Sequence, residues 1–244
     1  MQLRDVFKKL SYGELSSLSL GSSGEGSVDP SAHGKVIHLI NEALMILHTR
    51  FILVEKEVMI QSLDWKSTYE LHPRHSLMIM EDDGVPKYIV DTPAHPFDGR
   101  LIKILSVTNE IGQTLPLNDT EQYASVFTPR HDTLQITHPG FSQAFSITYQ
   151  SAHPLLLEPN EYEEGDFEGD VLDQEVTIPP TLEEALLKKV AEKVYSPMSG
   201  QDMTNKAAAL GVQFETICRE IEEKNLLGES NPSTNVKLYR RGFR

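Results

Sequence analysis

The residues of this chain with the means to do chemistry are nine histidines, one cysteine and a long acidic run. His72-Pro73-Arg74-His75 sets two imidazoles three residues apart, but on a helix-breaking, strand-like segment. No Cys, Glu or third His stands nearby at a metal-site spacing, so these read as surface or turn histidines. Cys218 lies beside Ile217 and Ile221 on a helical stripe with no His near it, which predicts a small buried hydrophobe rather than a nucleophile. Asp166, Glu168 and Asp170 alternate as calcium ligands do, yet Gly169 is misplaced for an EF-hand and the flanks do not read as paired helices. Gly21–Gly26, GSSGEG, has the wrong glycine spacing for a phosphate loop, and no Lys-Ser/Thr follows. HExxH, GxSxG and CxxC are all missing. These residues predict neither an enzyme nor a metal or cofactor site.

One stretch has a different character. The chain carries a formal charge of −14, yet its last ten residues, NVKLYRRGFR, are basic and aromatic. Lys237, Leu238, Tyr239, Arg240, Arg241, Phe243 and Arg244 alternate the residue types that dominate interface hot spots. Nucleic-acid phosphate would suit such an arm, and so would an acidic groove on a neighbouring subunit, because the arm complements the protein's own body. The acidic balance argues against a main surface that grips nucleic acid.

These segments need elements to hold them, and 244 residues with 39% apolar content suffice for one large or two small cores. Leu3, Val6, Phe7 and Leu10 form one helical stripe. A Ser/Gly-rich connection follows, Ser16 to Ser27. Asp29-Pro30 should cap and open a helix of about 25 residues, with Ile40, Leu44, Leu47, Phe51 and Val54 as its seam. Short runs at Val58–Ile60, Tyr69–Leu71, Lys87–Val90, Leu101–Thr108, Thr133–Ile136 and Ala144–Tyr149 predict an antiparallel β region. Turn signals separate them: Asp82-Asp83-Gly84, Phe97-Asp98-Gly99, Ile111-Gly112-Gln113, Asn118-Asp119 and His138-Pro139-Gly140. Glu158–Glu175 holds nine carboxylates and no Lys or Arg, which predicts a solvated loop. Thr181 with Glu184 should make a capping box for a helix whose face is Leu182, Leu186, Leu187, Val190, Ala191 and Val194, ended by Pro197. Met203, Ala207, Leu210, Phe214, Ile217 and Ile221 form the seam of a last helix stopped by Gly228.

The fold class expected is α+β: a bundle of about three main helices with an inserted antiparallel β domain and an extended C-terminal arm. The divisions are 1–28 (short helix and Ser/Gly segment), 29–55 with 176–228 (bundle), 56–157 (β insertion), 158–175 (acidic loop) and 229–244 (arm). Lone Cys218 rules out an intrachain disulfide and fits a reducing compartment. MQLRDVFKKL has no apolar core like that of a secretory signal, and the longest apolar runs are far short of the ~20 residues that span a bilayer. A soluble protein made in a cytosol, with no membrane partner, is the expectation.

Three stretches resemble the head-to-tail adaptors of short-tailed bacteriophages, of the tail tubular protein A type. They are PFDGRLIKILSVTNEIGQTLPLND (Pro96–Asp119), FSITYQSAHPLLL with IPPTLEEALLKKVAEKVYSP (Phe145–Leu157, Ile178–Pro197), and the opening MQLRDVFKKLSYGELSSLSLG. The resemblance implies a virion protein of the neck, assembled in the bacterial cytoplasm. It would form a ring, usually of twelve copies, between the portal and the tail nozzle. Genomic DNA would pass through the hole without sequence-specific binding. The partners implied are the portal ring, the nozzle protein and neighbouring copies, with the arm docking on the portal or an adjacent subunit. The long acidic loop departs from the family's pattern. Other readings stay open: a tail or collar binding module, with Trp65 as the lone tryptophan, a metal-dependent hydrolase using His72 and His75, and a DNA-binding factor using the arm.

Overall fold

Among the described residues, alternation and helical stripes become four α-helices and seven β-strands in a mixed α+β chain. The computed structural model describes residues 1–16, 18, 28, 30–79, 84–137, 143–158 and 171–227. Packing divides the chain into two units: Met1–Ala43 with Leu156–Arg244, and Leu44–Leu155. The second is therefore an insertion within the first.

In the discontinuous unit, α1 (Leu3–Tyr12) buries Leu3, Val6, Phe7 and Leu10, the four residues of its stripe. It does not stand apart as a separate N-terminal segment. Backbone bonds run from Leu3 N–H to the Gln174 carbonyl and from Val176 N–H to the Met1 carbonyl, 2.9 and 2.7 Å. The Tyr195 hydroxyl donates to the Glu14 carbonyl at 2.9 Å, and Lys9 pairs with Glu183. Gln174 is buried and clasps the base of the acidic stretch. Its side-chain N–H groups donate to the Leu157 and Val171 carbonyls, and its Oε1 accepts from Leu157 N–H. Residues 159–170 of that stretch, including Asp166, Glu168 and Asp170, lie outside the described residues.

Two helices of this unit differ from expectation at their ends. A 3-10 turn, Pro180–Leu182, precedes α3 (Glu183–Tyr195), so Thr181 sits inside a turn and Leu182 occupies the cap position. No side-chain capping bond forms there; Glu183 and Glu184 instead set negative charge against the helix dipole. The last helix, α4 (Gln201–Glu223), stops before Gly228, which lies outside the described residues. Asn225 takes the left-handed conformation, φ 48°, and donates its N–H to the Glu222 carbonyl, while Leu226 N–H reaches the Ile221 carbonyl. That is a Schellman motif with Asn in glycine's usual place. Along α4 the buried residues are Ala207, Leu210, Phe214, Cys218 and Ile221. Cys218 takes the core position that the spacing had assigned to Ile217, which is half-buried, as is Met203. The helices α3 and α4 pack along each other, and the Lys189 ammonium lies 4.9 Å above the Phe214 ring centroid.

A 3-10 turn, Pro30–Ala32, leads into α2 (His33–Arg50), an 18-residue helix rather than one of about 25. Ile40, Leu44, Leu47 and Phe51 are buried as the seam required. Val54 is not part of it. Beyond Phe51 the chain turns extended, and the Val54 carbonyl accepts from Ser151 N–H at 2.9 Å, so sheet pairing captures the residues that would have continued the helix. Asp29, the expected cap, lies outside the described residues.

The inserted unit holds two antiparallel sheets. Strands β1 (Glu55–Gln61), β3 (Ile89–Val90), β4 (Leu101–Asn109) and β7 (Ala144–Ser151) form one, in the order β3-β1-β7-β4. Strands β2 (Thr68–Glu70), β6 (Thr133–Ile136) and β5 (Val126–Arg130) form the other, in the order β2-β6-β5. Alternation places Val58, Ile60, Tyr69, Leu134, Phe145, Ile147 and Tyr149 in one shared core. Strand β5 has no counterpart in the expected set because Pro129 interrupts its pattern; it is an edge strand with a bulge after Phe127, where a missing N–H is tolerated.

At the turn signals Gly84, Gly99, Gly112 and Asn118 the backbone takes positive φ. His138-Pro139-Gly140 and Asp82-Asp83 lie outside the described residues. Gly99 meets two constraints at once. Its φ is +69°, and an added Cβ would lie 2.8 Å from Pro73 Cδ, so only glycine lets this turn approach the Pro73–His75 segment.

Candidate functional site

Two concave sites of the inserted unit gather charged side chains, and the residue pattern builds each. The larger, of about 740 Å³, is lined in part by Lys56, Met59, Val90, Asp91, His95, Phe97, Asp98 and Tyr149. Its polar groups are committed to holding the wall. Asp91 accepts from the Ser76 hydroxyl at 2.6 Å and from Phe97 N–H at 3.0 Å. Asp98 pairs with Lys56 at 2.7 Å and accepts from Arg100 N–H at 3.1 Å. Burial pushes the Asp98 carboxyl up, but these donors outweigh it and hold it below its ordinary value. Burial, aided by the Asp98 charge, pushes the Tyr149 phenol up, so it remains protonated. With Phe97 and Tyr149 edge to face, the groove offers apolar surface and one phenol. That suits binding more than proton transfer, since Asp91 and Asp98 are both spent on holding the wall.

The smaller site, of about 480 Å³, lies over the three-stranded sheet. Register sets Glu70, Thr133 and Arg130 in a row across β2, β6 and β5. The 3-10 turn Pro73–His75 adds Arg74 and His75, and the loop before β2 adds Lys66. A tyrosine pair secures the back wall. The Tyr69 hydroxyl accepts from Leu63 N–H and donates to the Lys66 carbonyl, which fixes the loop that bears Lys66. Likewise, the Tyr88 hydroxyl accepts from Glu70 N–H and donates to the Glu70 carbonyl, 2.9 and 2.8 Å. The Tyr88 ring stacks on His75, centroids 4.5 Å apart, and the Lys66 ammonium stands 5.2 Å from the Tyr88 centroid. His75 Nδ1 donates to the Pro86 carbonyl, leaving Nε2 to accept from Arg74 Nε–H. Burial holds His75 below its ordinary pKa, and the nearby cations add to that.

The residues singled out from sequence are scattered. His72 is exposed and accepts Arg74 N–H, as a turn residue would, whereas His75 is buried and not a surface residue. Among the described residues no group of three or more His, Cys, Asp or Glu comes together as metal ligands would. Cys218 is buried in the α3–α4 core. Trp65 is exposed, beside Lys66 but outside both cavities. The arm residues Lys237, Leu238, Tyr239, Arg240, Arg241, Phe243 and Arg244 lie outside the described residues. Lys66, Arg74 and Arg130 do converge, and Arg130 gave no sequence signal: it comes from a distant segment that strand register brings beside the other two.

A third feature is His48, on α2 and fully buried. Its Nδ1 donates to the Ser151 carbonyl at 3.2 Å, and Nε2 has no partner among the described residues. The His153 ring meets it edge to face at 5.5 Å. Burial lowers the pKa of His48, and His75 shifts the same way. The unfolded chain binds these protons near pH 6.5 and the folded chain does not, so stability is full above that pH and falls as pH drops from it toward the folded pKa values. Thermal melts between pH 8 and 5 should show this loss, with a shallower slope in His48→Gln. Equal slopes would show that His48 does not carry it.

No family model matches this sequence, and no curated protein matches it. Among the described residues no helix is long and apolar enough to cross a membrane.

Proposed function

We propose that this protein is a structural virion component, a head-to-tail adaptor that forms a ring between the portal and the tail nozzle and leaves a channel for DNA. The observation that carries the reading beyond sequence resemblance is an exposed apolar strip at one edge of the four-stranded sheet. Met59 and Val90 stand opposite each other on β1 and β3. Leu77, Met78 and Ile79 continue beside them, with Leu77 N–H bonded to the Ile89 carbonyl, and all five side chains are exposed. Exposed apolar surface gathered at the rim of a sheet is the kind of surface that assembly covers. A ring of identical subunits requires such contacts. The basic, aromatic arm at 229–244 then serves as the docking element, ordering against the portal or an adjacent copy.

The test is negative-stain electron microscopy of the protein mixed with the portal ring encoded in the same genome. The full chain should add a collar beneath the portal. A chain lacking 230–244 should keep its melting temperature, since the helical seams that end at Ile221 are left whole, and should add none. A bare portal with the full chain would overturn the adaptor reading. A collar with the truncated chain would overturn the arm's part in it.

A further inference from the structure

We propose that the cavity over the three-stranded sheet binds an oxyanion of the phosphate class. This inference does not depend on the adaptor reading. The inserted unit has thirteen Asp and Glu against eight Lys and Arg between Leu44 and Leu155. In that surplus of negative charge a cation should easily find a carboxylate. Lys66 and Arg130 do not: among the described residues neither is ion-paired. Both open onto the same cavity as Arg74, and the one carboxylate there, Glu70, is already held by Arg74. The lining thus carries three cations and one neutralised anion, the reverse of the unit's balance.

The cations are also held in place. Lys66 is carried on a loop closed by the Tyr69 hydroxyl, and its ammonium stands over Tyr88. Arg74 spends one N–H on His75 and another on Glu70, which fixes the plane of its guanidinium and leaves other donors unused. Arg130 is set by its register opposite Thr133, and Thr68 adds a hydroxyl from β2. Burial of Tyr88 and His75 behind them excludes water from one side, which strengthens attraction for an anion. Cations arriving from three separate elements would surround a tetrahedral anion better than a carboxylate, whose two oxygens lie in one plane. The cavity has room for a phosphate and the first atoms of whatever carries it.

Phosphate could arrive free or as part of a nucleic-acid backbone, and calorimetric titration of the full chain separates the two. Inorganic phosphate should bind. The double variant Lys66→Gln/Arg130→Gln, which alters one half-buried and one exposed side chain and keeps the Lys66 stem, should bind at least tenfold more weakly with little change in melting temperature. Lys103→Gln, on the exposed side of β4, should bind as the unaltered chain does. A short single-stranded oligonucleotide that binds more tightly than phosphate, and loses that advantage in the double variant, assigns a phosphodiester. Equal affinity assigns free phosphate. No phosphate binding, equal binding by the double variant, or preference for a peptide of residues 158–175 over phosphate would each overturn the proposal.

Discussion

Phe214→Ala should destabilise the discontinuous unit by about 3–5 kcal/mol, the range for emptying a buried aromatic site. Phe214 is the largest fully buried side chain of α4. It lies in the seam that α4 presents to α3, and the Lys189 ammonium stands over its ring. Truncation would forfeit the transfer free energy of the ring, and two stiff helices can close the void only in part. Gly211, one turn earlier, shows how near they are: a Cβ added there would come 3.3 Å from Glu192 Cδ. Phe214→Leu should cost far less, since it fills most of the space. Val212→Ala is the control; Val212 is 67% exposed, so its loss should stay within about 0.5 kcal/mol. Urea unfolding measures all three. A Phe214→Ala cost below about 1 kcal/mol would mean that the helix pair is not what holds this unit.

In the inserted unit the comparable site is Tyr88. Removing the whole side chain, Tyr88→Ala, should cost about 3–5 kcal/mol, because a buried ring that touches Tyr69, His75 and Lys66 is lost. Tyr88→Phe separates ring from hydroxyl. It keeps the packing but strands the N–H of Glu70 and leaves its carbonyl with the His72 N–H alone, a cost of about 1–3 kcal/mol. Glu70 is in edge strand β2. Its partner in the ladder is Thr133, so the tyrosine supplies the bonds that a missing outer neighbour would have made. Far-ultraviolet melts of the two variants should therefore rank Ala well below Phe, with Phe well below the unaltered chain. Matching melting temperatures for Phe and the unaltered chain would show that solvent satisfies Glu70 just as well.

The elements legible in the sequence were those whose pattern is local. Alternation marks β1, β4, β6 and β7 because one face of each fills a common core, and the stripe of α1 and the seams of α3 and α4 follow helical period. What local pattern hides is decided by partners far along the chain. Pro129 argues against a strand until β6 is known to leave β5 at an edge. Val54 continues a helical seam on paper, yet Ser151 takes its carbonyl into an extended connection. Thr181 and Glu184 have the spacing of a capping box, but Pro179 and Pro180 place a 3-10 turn over it. The basic cavity is the clearest case. His72-Pro-Arg-His75 drew notice as a metal motif, and it does contribute Arg74 and His75 to a concave site. Its chemistry is set by Lys66 and Arg130, which no window of sequence contains together.

The insertion also orders events in time. In a chain made from its N-terminus, the apolar stripe of α1 emerges early, but Glu183, which pairs with Lys9, follows 174 residues later. At synthesis rates of up to ~20 residues per second that is a wait on the order of ten seconds, long beside the micro- to millisecond folding of helical segments. Leu44–Leu155 is continuous and can close its own sheets in the interval. The nascent chain thus exposes Leu3, Val6, Phe7 and Leu10 to chaperones or to other nascent chains until α3 appears. Slow translation should penalise the yield of this protein more than that of one whose core is contiguous.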